Sequence, residues 1–434
     1  MSPGENATHT KPFVFRYGRG EISLRLDGEW PVKVVSPRVP GSEPDLPSLV
    51  LDSLQRPIAT PPLATLAGDA RSVVISIPDG TRPPVARTIL PPVIEELLRA
   101  GVDLAKIKIF IAAGVHAGTT PEDRRRLVGD GVSPAIEIVE NDCRKAAGFV
   151  PVGRTRRGTP VVVNRLVREA DLNVVIAPLA LHYFAGMGGG RKMIVPGACN
   201  AETARANHRL TLSDRGEIHP MCRSGVLEDN PVHEDMVEGM SFLNNIFLIN
   251  VILDGWARPC DIVSGDAVKS YLEAATRARG LLEVPVGPRC DLAVAGAGGH
   301  PFDTNVIQAH KSIDHAAASV RDGGVVVVAA ECAAGIGSDT FLPWFGLGDA
   351  RAVSRRLLAQ YELNGHTALA LMQKLERLKI ILVSSLDRSL VERMGMILAR
   401  SLDEAVSLAG AYVGKKPLTY ILPMAWGILP VAEG

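Results

Sequence analysis

Apolar and polar positions follow two rhythms along this chain, and the changes from one to the other mark out its elements. Short, unbroken apolar runs rich in β-branched residues recur at 72–77 (SVVISI), 108–113 (KIFIAA), 173–178 (NVVIAP), 246–253, 290–295, 325–330, 380–384 and 419–423. Runs of this length without alternation are the mark of strands covered on both faces. Helical segments are expected between them, at about 84–100, from 121, from 201, over 304–320, 350–363, 367–378 and 401–411. Strands alternating with helices predict a doubly wound α/β architecture with mainly parallel sheets. Loose alternation over 13–27 predicts a hairpin around Gly18 to Gly20, and 136–141 reads as a further strand. The Pro-rich stretch 37–62 reads as loop and short helix, and 211–235 as a polar, less regular region.

The chain has 434 residues, too many for one ordinary core. The composition breaks at 281–289 (LLEVPVGPR), where Pro285 and Pro288 precede a new strand. The expected organisation is therefore a first α/β domain over 1–285, carrying cofactor and catalysis and rejoined by 416–434. A second α/β domain covers 286–415, with the active site in the cleft between the two.

Composition narrows the function. Hydrophobic residues make up 46% and charged residues 22%, with a formal net charge of +0. That balance belongs to a soluble globular protein and offers no electrostatic footprint for nucleic acid or an anionic membrane. The start of the sequence lacks the apolar core of a secretory signal, and no apolar run is long enough for a bilayer. The six cysteines are scattered, with no C-x-x-C. A reducing cytoplasm suits them best.

The chemistry gathers in loops that follow the predicted strands. Residues 78–84 (PDGTRPP) place Asp79 or Thr81 where either could cap the next helix, but they also place Arg82 there. A cation at a helix N-terminus is unfavourable unless an anion is nearby, which makes Arg82 a candidate anion or carboxylate ligand. The next loop, 114–120 (GVHAGTT), carries His116 and a plausible N-cap, Thr120. The third, over 179–210, carries His182, then Gly186, Gly188, Gly189 and Gly190, then Lys192, and His208 on the following helix. Polar loops on one edge of a parallel sheet converge on one crevice. Glycines there let backbone N–H groups approach a ligand. Plain phosphate binding by GMGGGRK is an alternative, although the run is neither a Walker A nor a G-x-G-x-x-G fingerprint. A three-histidine zinc site for hydrolysis, from His116, His182 and His208, is another. Arg154, Arg156 and Arg157 read as a solvated turn. In the second domain Gln308 and Lys311, three apart on a helix, share a face.

The segments D-G-T-R-P, G-x-H-x-x-T-T, H-x-x-x-G-x-x-G-G-x-K and N-H, followed by Q-x-x-K, resemble the lactate racemase family over roughly residues 70–345. The resemblance implies a racemase or epimerase of a 2-hydroxy acid that uses a nickel-pincer nucleotide, made by dedicated cofactor-synthesis enzymes. It makes Lys192 the covalent tether, His208 the nickel ligand, and His116 and His182 the two acid/base groups. Asp79, Thr81, Gly188, Gly189 and Gly190 would bind the cofactor. Arg82, Gln308, Lys311 and Trp344 would bind substrate.

The chemistry implied is hydride removal from the hydroxyl-bearing carbon, whose hydrogen is barely acidic. A histidine on each face serves the hydroxyl proton, and imidazole suits Ni(II). Two positions depart from the family pattern. Ala117 stands where members often carry arginine, and Arg191 adds a cation beside the tether. The identity of the 2-hydroxy acid stays open.

Overall fold

The strand Val73–Ile77 is buried at every position, and a six-stranded sheet is built around it. The computed structural model describes residues 11–26, 30–41, 44–116, 118–145 and 147–433. Ala117 lies outside them. The chain divides into two units, one made of Val39–Thr211 and His219–Gly280, the other of Met1–Arg38, Leu212–Ile218 and Leu281–Gly434.

In the first of these the strand order is Pro259–Asp266, Ile246–Leu253, Leu172–Leu179, Val73–Ile77, Ile107–Ile111 and Glu137–Glu140. All neighbours are parallel except Pro259–Asp266, which returns antiparallel to Ile246–Leu253. The far side of Pro259–Asp266 is covered: Ile58 donates to Ser264 O and accepts from the Asp266 amide, both at 2.9 Å. At the opposite edge, Glu137–Glu140 is short and charged. Lys108 pairs with Glu137 at 2.6 Å and Arg124 with Glu140 at 3.0 Å.

The second unit has its own sheet, ordered Ile397–Ala399, Lys379–Val383, Val320–Ala329, Cys290–Gly296, Thr419–Leu422 and Val32–Val34, parallel throughout. Its core packs the helix Val306–Ala318 against Val326, Val328 and Tyr420. The expectation that 1–38 and 416–434 belong with the first domain is corrected here. Thr419–Leu422 is buried at every position and lies between Cys290–Gly296 and Val32–Val34. Tyr420 Oη also donates to Val286 O at 2.8 Å. A fully apolar strand is stable only where both its faces and both its edges find partners.

The irregularity expected of 211–235 holds over 211–230, which is turns with one isolated bridge between Leu212 and Ile218, and gives way to a helix from Pro231. Leu212–Ile218 belongs with the second unit, where Ser354 Oγ donates to Gly216 O at 2.9 Å. Pro231–Met240 is a helix whose start is an Asn-Pro pair: the Asn230 side chain accepts from the Val232 and His233 amides, and Pro231 fills the position that needs no donor. Among the described residues no helix is long and apolar enough to cross a membrane.

Candidate functional site

From Val73–Ile77 the chain moves outward through Ile107–Ile111 to Glu137–Glu140. It then returns to add Leu172–Leu179 on the other side of Val73–Ile77. The strand order therefore reverses between Val73–Ile77 and Leu172–Leu179, and a crevice opens at the carboxyl ends of such a pair. The loops bearing Asp79, His116 and His182 all leave from that edge. Two of them are tied together: the Gly114 amide donates to Gly197 O at 3.0 Å, and Asn141 Nδ2 donates to the same carbonyl at 3.0 Å.

On one side of the reversal stands Asp79, buried. Its Oδ1 accepts from the Thr81 amide at 3.0 Å and from Thr81 Oγ1 at 2.5 Å, while Oδ2 accepts from Nδ1 of His116. Arg82 reaches back to Thr81 Oγ1 at 2.9 Å. Burial pushes the Asp79 carboxyl up, but the His116 imidazole, Arg82 and the Thr81 hydroxyl outweigh it and hold the group well below the usual carboxylate range. An ionised Asp79 fixes the His116 tautomer with the proton on Nδ1, leaving Nε2 able to accept one. The expectation that Asp79 or Thr81 caps the following helix is corrected. That helix, Ala86–Arg99, begins after Val85 with no side-chain cap, because Pro83 and Pro84 separate the Asp-Gly-Thr turn from it. Thr120 does cap its helix, in a reciprocal capping box with Asp123.

On the other side, His182 Nε2 lies 3.2 Å from the Lys192 amine, and its Nδ1 accepts from the Ala185 amide at 3.4 Å. Burial, with Arg82 and Arg191 adding repulsion, holds Lys192 well below the ordinary lysine range. A lowered amine pKa eases loss of the proton, and the amine so freed can act as a nucleophile. His208 occupies the last turn of Ala201–Arg209, a helix capped by Asn200. Its Nδ1 donates to Ala204 O at 2.6 Å, so Nε2 carries the lone pair that a metal would need. Burial and the nearby Lys192 depress His208 to about 3. Arg82 acts on Lys192, and His116 on His208, so the two sides of the reversal share one electrostatic environment.

The glycines differ in what they accomplish. Gly189 and Gly190 have φ of +69° and +47°, and a Cβ would meet Pro178 O at 2.7 Å in the first and run into the Tyr271 ring in the second. The fold itself needs both. At Gly188 the nearest atom to a Cβ is Ala180 O at 3.5 Å, which is ordinary contact. Nothing in the protein excludes a side chain there.

Gln308 and Lys311 lie in the other unit on Val306–Ala318, both buried, with Lys311 Nζ donating to Gln308 Oε1 at 2.7 Å. Trp344 is packed in that unit's core, against Gly365. Arg156 and Arg157 pair with Glu238 and Glu234, the solvated turn expected. Among the described residues no three His, Cys, Asp or Glu side chains are grouped to hold a metal ion.

Residue patterns gave no notice of Phe184. Its ring meets His182 at 4.5 Å and His208 at 5.0 Å, edge to face, with Lys192 Nζ 5.1 Å from its centroid. The available signal is an aromatic pair, Tyr183-Phe184, directly ahead of the glycine run.

Two family models match the chain: the lactate racemase N-terminal domain over residues 17–219 and the lactate racemase C-terminal domain over 287–429. The lactate racemase of Thermoanaerobacterium thermosaccharolyticum is 31% identical over 423 residues, covering 94% of this chain and 96% of that protein. The lactate racemase of Lactiplantibacillus plantarum is 31% identical over 388 residues, covering 87% and 89%. Among solved structures, the lactate racemase apoprotein from Thermoanaerobacterium thermosaccharolyticum superposes with a TM-score of 0.87 at 28% identity, over 98% of this chain and all (100%) of the other. A Thermotoga maritima protein shares the fold, with a TM-score of 0.66 at 15% identity. With the strand reversal and its histidine loops in place, and both halves matched, the chain belongs to the lactate racemase family of isomerases.

Proposed function

We propose that the protein racemises or epimerises a 2-hydroxy acid with a nickel-pincer nucleotide held by Lys192 and His208. The observation that carries this reading is the placement of a partly buried lysine amine 3.2 Å from a histidine, directly after a glycine loop. The residues fit such a group. Lys192 is a nucleophile suited to acylation, and His208 offers an unprotonated Nε2. Gly188 lacks a Cβ that the fold would tolerate, which suits close approach by a ligand. Bound there, the nucleotide supplies the hydride acceptor through which the hydroxyl-bearing carbon can invert by way of a 2-oxo acid.

The chain's own residues do the rest. Arg82 pairs with the substrate carboxylate. His116, oriented by Asp79, exchanges the hydroxyl proton at Nε2 for one enantiomer, and His182 does so for the other. Gln308, Lys311 and Trp344 as substrate ligands, and Asp79, Thr81 and Gly188 to Gly190 as cofactor ligands, belong to the same proposal.

The test is protein produced together with the cofactor-synthesis enzymes and offered single enantiomers of a panel of 2-hydroxy acids, scored by chiral chromatography. Lactate heads the panel because the named relatives are lactate racemases. Intact-mass spectrometry is expected to show an adduct that Lys192→Ala abolishes together with all racemisation. His208→Ala is expected to lower nickel content while the adduct remains. An adduct that survives Lys192→Ala overturns the assignment.

A further inference from the structure

Arg191 has no task in the reading above, yet it is the largest fully buried side chain of the protein. A guanidinium normally enters a core only against a carboxylate. Here the hydrogen-bond partners are uncharged. One terminal nitrogen donates to Ala185 O at 2.8 Å and Met187 O at 3.1 Å, and the other donates to Tyr271 Oη. Arg191 Cζ also lies 4.4 Å from the Tyr271 ring centroid, and Nε finds no partner among the described residues.

These contacts share a geometry. Ala185 and Met187 stand at the start of the glycine loop and Arg191 at its end, so the side chain reaches back and closes the segment on itself. Tyr271 seals the arrangement from the other side, since it occupies the space a Cβ at Gly190 would need. The next residue is Lys192, whose amide donates to Gly189 O at 3.0 Å. A planar fork that reaches three acceptors at fixed angles suits this task, and a lysine ammonium on a flexible stem does not.

We propose that Arg191 is a positioning residue: its guanidinium clamps the 185–191 loop and thereby sets where the Lys192 amine stands relative to His182. The consequence for cofactor loading rests on the reading of Lys192 as the tether. The clamp itself does not.

Hydrogen–deuterium exchange on apoprotein tests the clamp, and the fraction of protein carrying the adduct, after production with the cofactor-synthesis enzymes, tests its consequence. In Arg191→Met, amide exchange over 186–192 is expected to accelerate roughly tenfold or more, while the inner strand Ile246–Leu253 keeps its protection. Adduct occupancy is expected to fall about fivefold or more. Arg191→Lys is expected to restore neither, and Tyr271→Phe to show a smaller acceleration confined to the same loop. Unchanged loop exchange in Arg191→Met overturns the proposal. So does acceleration spread equally over loop and strand, which marks an ordinary core residue. If Arg191→Met fails to fold by circular dichroism, Tyr271→Phe decides the matter by the same two criteria. Loop-limited acceleration in a protein whose wild type never carries an adduct at Lys192 would uphold the clamp and remove the tether.

Discussion

His116 and His182 leave the same sheet edge on opposite sides of the strand reversal, and their surroundings are opposite in kind. His116 is about a third exposed, with a side-chain relative accessibility of 35%, and leans on a carboxylate that is itself held ionised. His182 is buried among aromatic rings and faces an amine held below the ordinary lysine range. In the two-histidine reading proposed above, the two proton carriers need not be built alike. The difference teaches that one imidazole is oriented by an anion and the other by packing and a backbone amide. A change to the anion should therefore reach one of them and spare the other.

The largest effect that probes this asymmetry is expected from Asp79→Asn. An amide can present its N–H to Nδ1 and so favour the opposite tautomer of His116. Racemisation is expected to fall by roughly two to four orders of magnitude. Single-turnover mixing of loaded enzyme with each enantiomer separately should show one direction of proton removal slowed far more than the other. Equal slowing for both enantiomers would break the comparison and leave Asp79 as common scaffolding.

A smaller effect separates what the glycine loop does for the fold from what it does for a ligand. Gly189→Ala forces a side chain into a left-handed backbone against Pro178 O and is expected to cost roughly 1–3 kcal/mol of stability, read by urea unfolding. Gly188→Ala is expected to leave stability within about 0.5 kcal/mol, as for an ordinary surface change, while adduct occupancy drops. A Gly188→Ala protein that loads normally would detach this glycine from the cofactor.

The smallest effect is on stability against pH. The folded-state pKa of Asp79 lies below its ordinary value of 3.8. Its stabilising contribution is therefore complete above that value and is lost as pH falls through the lower folded one. The stability difference between wild type and Asp79→Asn, measured by urea unfolding, should be constant from pH 7 to about 5 and should shrink toward pH 3. A difference that fails to shrink toward pH 3 would mean that the ionised Asp79 carboxylate does not stabilise the folded state.

Much of this was legible in the sequence for physical reasons that also explain the failures. Strands such as Val73–Ile77 and Leu172–Leu179 are covered on both faces, so their apolar runs carry no ambiguity. Pro259–Asp266 (PCDIVSGD) closes an edge with mixed polarity and left no such trace. The loop histidines could be placed because each follows a readable strand. Asp79 was read as a possible cap because Asp-Gly-Thr is a capping composition, and only the fold brings His116 to the same carboxylate. Arg191 read as a second charge beside the tether. The side chain instead turns into the core, a choice made by Tyr271 eighty positions away, and no local pattern reports it. The placement of 1–38 and 416–434 failed for the same reason: strand pairing between chain ends is a tertiary fact.

The two margins of the first unit's sheet have a consequence for association. A parallel sheet that ends in bare backbone invites another chain to continue it. One margin here is an antiparallel strand whose far end is capped by Ile58, which takes up the Ser264 carbonyl and the Asp266 amide. The other is a four-residue strand with glutamates at both ends, each engaged by a cation. Neither margin is a template for strand addition. A second copy approaching either margin would have to displace these contacts before its backbone could pair there.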